Sequence, residues 1–145
     1  MSKRVLGAVF VLATVAGVAI AQTPAGSKAS ASSTSAATLA RGKYLVNNVG
    51  MCGDCHTPFD RKGQPIKSKT LQGSVLMFKP TVPIPGWMEA APGIAGLNWT
   101  DEEAITFFTT GKRPNGTMTA PPMPQFRFNK ADAAAVTAYL KSLKP

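Results

Sequence analysis

The sequence predicts a small all-α domain: three main helices plus long loops wrapped around one covalently held cofactor. Three observations lead there. Apolar residues recur at helical spacing in three stretches, near residues 38–49, 100–110 and 130–143. Between the first two, residues 57–98 keep no helical or strand period and are broken by Pro58, Pro65, Pro80, Pro83, Pro85 and Pro92. Finally, the chain owns 2 cysteines and 1 histidine, and all of them fall in Cys52-Gly53-Asp54-Cys55-His56.

Taken in order, residues 1–21 read as an export signal. Lys3 and Arg4 give a positive start, Val5 to Ile20 is apolar or small, and Ala19-Ile20-Ala21 fits a small-x-small cleavage site. The run is shorter than the roughly 20 residues of a comfortable membrane span, so cleavage is expected, with an uncleaved membrane tether through residues 5–21 as the alternative. Residues 22–37 are rich in Ser and Ala with nothing to bury, a flexible linker. Residues 38–145 then form one domain, small enough that a buried cofactor would supply much of its interior.

The first helix is expected from Thr38, as cap, to about Val49, with Leu39, Leu45, Val46 and Val49 on one side. Gly42 inside it weakens the helix and implies a close helix–helix contact. The second helix opens on a capping box, Thr100 with Glu103, has acidic residues in its first turn, and reaches Gly111 as C-terminal cap. Ile105 with Phe108, and Ala104 with Phe107, supply its apolar pairs. The third runs from Asn129 or Lys130 to Leu143, carries Val136, Tyr139, Leu140 and Leu143 as a stripe, and should pack on the first helix. A loop as long as 57–98 suits a chain that wraps a cofactor, and Leu71, Val75, Leu76, Met77, Phe78, Trp87, Ile94 and Leu97 along it need an apolar surface to pack on.

Cys52-x-x-Cys55-His56 is the attachment sequence of a c-type haem: two thiols bond the porphyrin as thioethers and the adjacent imidazole binds iron. A structural zinc site needs about four ligands of this kind, more than the chain's 3 Cys and His together. A thioredoxin-like redox pair expects a βαβ setting, whereas Pro- and Gly-rich loop follows His56. A bridge between Cys52 and Cys55 would close too small a loop to constrain the unfolded chain.

With His56 on one side of the iron, the other axial position falls to a methionine, water or nothing, because no second histidine exists. Met123 is favoured: in Ala120-Pro121-Pro122-Met123-Pro124 three prolines stiffen the backbone around it. Met118, between two threonines, is the second choice, while Met51 is locked beside the attachment turn.

The full chain has 16 basic and 7 acidic residues, a net charge of +9. Nucleic acid is excluded as partner, since the lysines are scattered, no aromatic residues interleave a basic stripe and the chain is exported. Arg61, Lys62, Lys67, Lys69, Lys112 and Arg113 are instead candidates for steering an acidic redox partner to the haem edge.

Residues 41–145 resemble the class I cytochromes c, in particular bacterial monohaem domains that accept electrons from periplasmic dehydrogenases. The likeness rests on Arg41–Leu45 (RGKYL), Cys52–Pro58 (CGDCHTP), Trp99–Gly116, Pro121–Pro124 (PPMP) and Asp132–Leu143. It implies an all-α cytochrome c fold around one covalent haem, thioethers at Cys52 and Cys55, and iron held by His56 and Met123. It also implies that a proline carbonyl, best matched by Pro92, accepts a hydrogen bond from the His56 ring; Gly93 stands where the family often has Asn. Trp87 and Trp99 carry N–H donors that could serve the haem propionates. The expected function is an exported, periplasmic one-electron carrier between a dehydrogenase and a respiratory acceptor, not an enzyme. The competing reading is a haem protein with an open distal site, a gas sensor or peroxidase-like enzyme.

Overall fold

A computed structural model describes residues 34–145, so the signal and most of the linker expected at residues 1–33 lie outside the described residues. The elements are α1 (Ala36–Tyr44), a π-helical turn (Leu45–Val49), α2 (Gly53–His56), a single 3₁₀ turn (Lys67–Lys69), β1 (Ser74–Val75), β2 (Ala90–Ala91), α3 (Asp101–Thr110) and α4 (Lys130–Ser142).

Helix α1 begins earlier than Thr38. Ser35 is extended, and its hydroxyl accepts the Thr38 N–H at 3.1 Å. Thr38 therefore sits inside the first turn and its hydroxyl bonds that of Ser35. Ala36 and Ala37, read as linker, are helical because alanine favours the helix once a cap precedes it.

The other end of this helix also departs from the expected pattern. From Leu45 the turns widen: Gly50 N–H donates to Leu45 O at 2.7 Å and Cys52 N–H to Val46 O at 3.0 Å. Leu45 and Val46 stay buried, but Val49, expected on their side, is 49% exposed. A stripe extrapolated at 3.6 residues per turn fails where the winding changes.

Helix α4 packs along α1 and α3. Gly42 allows the α1–α4 crossing, because a Cβ there would overlap the Ala135 carbonyl and lie 2.7 Å from Tyr139 Cβ. Arg41 spans the same pair of helices, donating from Nε and one terminal nitrogen to the two carboxylate oxygens of Asp132 at 2.8 and 3.0 Å. Helix α3 has both halves of its capping box, with Glu103 N–H on Thr100 Oγ1 and Thr100 N–H on Glu103 Oε2, and ends on Gly111 in the left-handed region. Asn129 caps α4 by accepting the Asp132 N–H at 2.9 Å.

The core comprises Leu45, Val46, Leu71, Ala104, Phe107, Phe108, Ala133, Ala135, Val136 and Leu140. Each large apolar side chain removed from water contributes about 1.5–3 kcal/mol. Ile105, Tyr139 and Leu143 pack partly buried at its edge.

The segment between α2 and α3 is organised by backbone hydrogen bonds. Gly73 N–H donates to His56 O, Ile94 and Ala95 N–H both donate to Leu71 O, and the buried Leu71 N–H donates to Thr57 Oγ1. Strands β1 and β2 pair antiparallel, Ser74 with Ala91 and Val75 with Ala90. Two-residue strands are too short to leave a period in sequence, so the ladder was not anticipated. Of the loop residues expected to seek an apolar surface, Leu71 is fully buried and Ile94 and Leu97 pack on the core. Val75, Met77 and Phe78 are exposed, Val75 to 74%.

Candidate functional site

The site is built on the turn α2. The π-helical turn delivers the chain to Met51, whose φ of 45° reverses it into Cys52. Cys52 and Cys55 are both free thiols, each half-buried, with Cys52 packed against the core. Burial, with smaller contributions from Cys55 and Asp54, pushes the Cys52 thiol up to about 11. Burial and Asp54 also raise Cys55. Both are therefore protonated thiols at neutral pH, unlike the thiolates of a reactive dithiol or a zinc site. Nor do their side chains converge: among the described residues no three His, Cys, Asp or Glu side chains could share a metal ion.

His56 is buried, 5% exposed, and its Nδ1 lies 2.7 Å from Pro92 O. A carbonyl can only accept, so Nδ1 carries the proton and Nε2 keeps its lone pair. Burial lowers the imidazole's pKa, and the bond to Pro92 opposes this only partly, so the ring is neutral and able to bind a metal. The acceptor is fixed by a close crossing of two loop segments. At Gly73, φ is 93° and a Cβ would lie 2.8 Å from Gly93 N; one on Gly93 would lie 3.1 Å from Gln72 O. An asparagine at Gly93 would press on that backbone, which accounts for glycine at this position.

Among the described methionines, Met123 alone packs against the core, whereas Met51, Met77, Met88 and Met118 are exposed. Its N–H donates to Ala120 O at 3.1 Å, closing the proline-rich turn on itself. Cys52 and Met123 thus approach one core, beside which His56 is buried.

Sequence reasoning passed over Thr57, whose hydroxyl links the residue after His56 to Leu71, and the aromatic pair Phe126–Phe128. These rings stack at 5.3 Å, and Phe126 Cε1 lies 3.5 Å from where a Gly50 Cβ would stand, itself 3.3 Å from Cys52 Sγ. The alternation Phe-x-Phe directly after the methionine turn was the available signal.

The residues fit a covalently attached haem: two neutral thiols that do not share an ion, next to a neutral imidazole oriented through Nδ1. A helical domain with this donor set defines a c-type haem protein of electron transfer. The Cytochrome c family model matches residues 39–144, and the chain belongs to that family. Membership implies covalently bound haem c.

The chain is 35% identical over 80 residues to the cytochrome c subunit of the quinone alcohol dehydrogenase of Gluconobacter oxydans, covering 51% of this chain and 16% of that protein. It is 32% identical over 108 residues to a diheme cytochrome c-type protein of Cereibacter sphaeroides, covering 70% and 34%. It is 28% identical over 114 residues to the fructose dehydrogenase cytochrome subunit of Gluconobacter japonicus, covering 71% and 21%. The chain spans at most about a third of the length of these three relatives.

Proposed function

We propose that this protein is an exported one-electron carrier with a single haem c, bound through Cys52 and Cys55 and ligated by His56 and Met123. It passes electrons from a periplasmic dehydrogenase to a respiratory acceptor. The observation that carries this reading is the His56 ring: buried, neutral, and donating from Nδ1 to Pro92 O while Nε2 remains available. The 145 residues hold one attachment motif, which supports one haem.

Haem iron supplies the ferric–ferrous couple. The chain's residues do the rest. The Cys52 and Cys55 thiols fix the cofactor, each forming one carbon–sulfur bond as its proton goes to the neighbouring vinyl carbon. Pro92 orients the imidazole and makes it more basic. Met123 presents its thioether from a turn with little freedom to lose, and a Met/His pair favours a higher potential. With both axial positions filled there is no place for substrate, so the protein is a carrier and not itself a catalyst.

The dehydrogenase subunits among the relatives suggest the donor. Arg61, Lys62, Lys67, Lys69, Lys112 and Arg113 make no ion pair among the described residues, whereas Arg41, Lys79 and Lys141 do. Those free cations are suited to steering an acidic partner. The export signal places the carrier in the periplasm, soluble or tethered to the inner membrane through residues 5–21. No described helix is long and apolar enough to cross a membrane.

The test is a visible spectrum of the exported protein, oxidised and reduced, with and without carbon monoxide, beside Met123→Ala. Sharp low-spin bands indifferent to carbon monoxide, lost in Met123→Ala, are expected. A wild-type protein that binds carbon monoxide, or an unchanged variant spectrum, would remove Met123 from the iron.

A further inference from the structure

Two buried polar atoms have no hydrogen-bond partner among the described residues: Trp87 Nε1 and Thr119 Oγ1. Both adjoin one junction. Met88 N–H, next to Trp87, donates to Pro121 O at 2.8 Å, and Thr119 stands two residues before that acceptor. The junction therefore joins the turn at residues 84–88 to the segment that leads into Met123.

Neither residue is placed casually. Trp87 N–H closes a turn on Ile84 O, and its ring meets Phe78 edge-on at 5.8 Å. Thr119 N–H donates to Gly111 O at 2.8 Å, which fixes the threonine against the end of α3. A buried indole N–H left without an acceptor is costly, and native structures rarely tolerate it. The indole can only donate, and a hydroxyl can donate as well. Two donors at one junction ask for a group that accepts, and an anionic oxygen accepts most strongly.

A haem carries two carboxylates on its rim, and the segment bearing Thr119 is the one that carries Met123. We infer that Trp87 Nε1 and Thr119 Oγ1 donate to a propionate carboxylate of the bound haem at this junction. Trp99 is not the donor of this pair: its ring packs edge-on against Phe107 at 5.2 Å, as a wall of the core. The inference rests on the haem reading above and adds what holds the rim of the cofactor opposite its covalent attachment. Trp87 and Thr119 are positioning residues, since they act on the carboxylate and not on iron.

The test uses the full exported protein carrying haem labelled with ¹³C at the propionate carboxyls. Covalent haem with a low-spin spectrum must come first; its absence would defeat the haem reading and not this assignment alone. Trp87→Phe keeps the ring and removes the N–H, and Thr119→Val keeps the shape and removes the hydroxyl. In redox-difference infrared spectra, each variant should shift a labelled carboxylate band toward the frequency of a less hydrogen-bonded carboxylate. The reduction potential should also fall, because a carboxylate charge less neutralised by donors favours ferric iron. Labelled bands and a potential that stay unmoved in both variants would overturn the assignment. A readout on the unmodified protein guards against variants that do not fold. The Trp87 indole proton should be protected from solvent exchange and show a redox-dependent shift in ¹⁵N-resolved spectra. Rapid exchange and indifference to oxidation state would make water its partner and sink the proposal.

Discussion

The three-helix end of the molecule and the segment between His56 and Asn98 hold themselves together by different means. Helices α1, α3 and α4 are closed by side chains: Ser35, Thr100 and Asn129 cap them, and Arg41 with Asp132 bridges two of them. The loop segment is closed by main chain on main chain: Gly73 on His56, Ile94 and Ala95 on Leu71, β1 on β2. Side-chain closure tolerates small adjustments of backbone. Main-chain closure does not, because the atoms that bond are also the atoms that set the path. The ring of His56 depends on the second kind, and the core on the first.

Substitutions can weigh one end against the other. The largest effect should come from Gly42→Ala, where the added methyl meets the Ala135 carbonyl and α1 and α4 must part. Overpacking of this kind costs about 3 kcal/mol, to be read from denaturant unfolding; a loss under about 1 kcal/mol would mean that the helices separate easily. Next is Gly73→Ala, where a side chain at φ 93° would also press on Gly93 N. Strain at such a position costs about 1–3 kcal/mol. Unlike Gly42→Ala, it should disturb the His56 ring as well, visible as a changed spectrum of the haem-loaded protein. If Gly73→Ala altered stability but left the spectrum untouched, the loop crossing would not be what positions Pro92.

Thr100→Ala should cost about 1 kcal/mol by removing one half of a capping box. Melting curves would show it, with the spectrum unchanged, since α3 bears on the site only through the core. The smallest effect belongs to Asp132→Asn and is best seen as pH dependence. Hydrogen bonding to Arg41 holds the Asp132 carboxyl below the usual carboxylate range, while Arg41 itself is raised and stays charged. The stabilisation is therefore complete above the unfolded pKa of about 3.9 and disappears as pH falls through the lower folded value. The asparagine variant should lack that acid-side decline, and an identical acid titration of both proteins would show the bridge to be idle.

What could be read in advance follows the same division. Thr100 with Glu103, Gly111 and Asn129 act within one turn of their own helix, so the sequence around them carries the signal. Gly42 was legible because a glycine inside a helix demands a reason, and the Ala135 carbonyl supplies it. Ser35 was missed since serines and threonines crowd the approach to α1, and only geometry selects the one whose hydroxyl meets Thr38 N–H. The widened turn at Leu45–Val49 leaves no mark in a periodicity and misplaces Val49. Pro92 came from family likeness alone; its approach to His56 depends on residues 71–74 and 91–95 meeting across some twenty intervening positions, a contact no local pattern encodes. Trp87 and Thr119 were visible as residues, but that both are buried without partners is a property of the fold.

The pairing of Ser74 with Ala91 and Val75 with Ala90, extended by Leu76 N–H on Glu89 O, draws the chain into a narrow neck. Everything that grips His56 lies on the near side of it. Residues 77–88 lie beyond, and lengthening a loop already closed costs little, about 0.6 kcal/mol for each doubling. The excursion can therefore gain or lose residues over time without shifting the imidazole, which makes it the part of the domain free to diversify for different partners while the attachment turn stays the same.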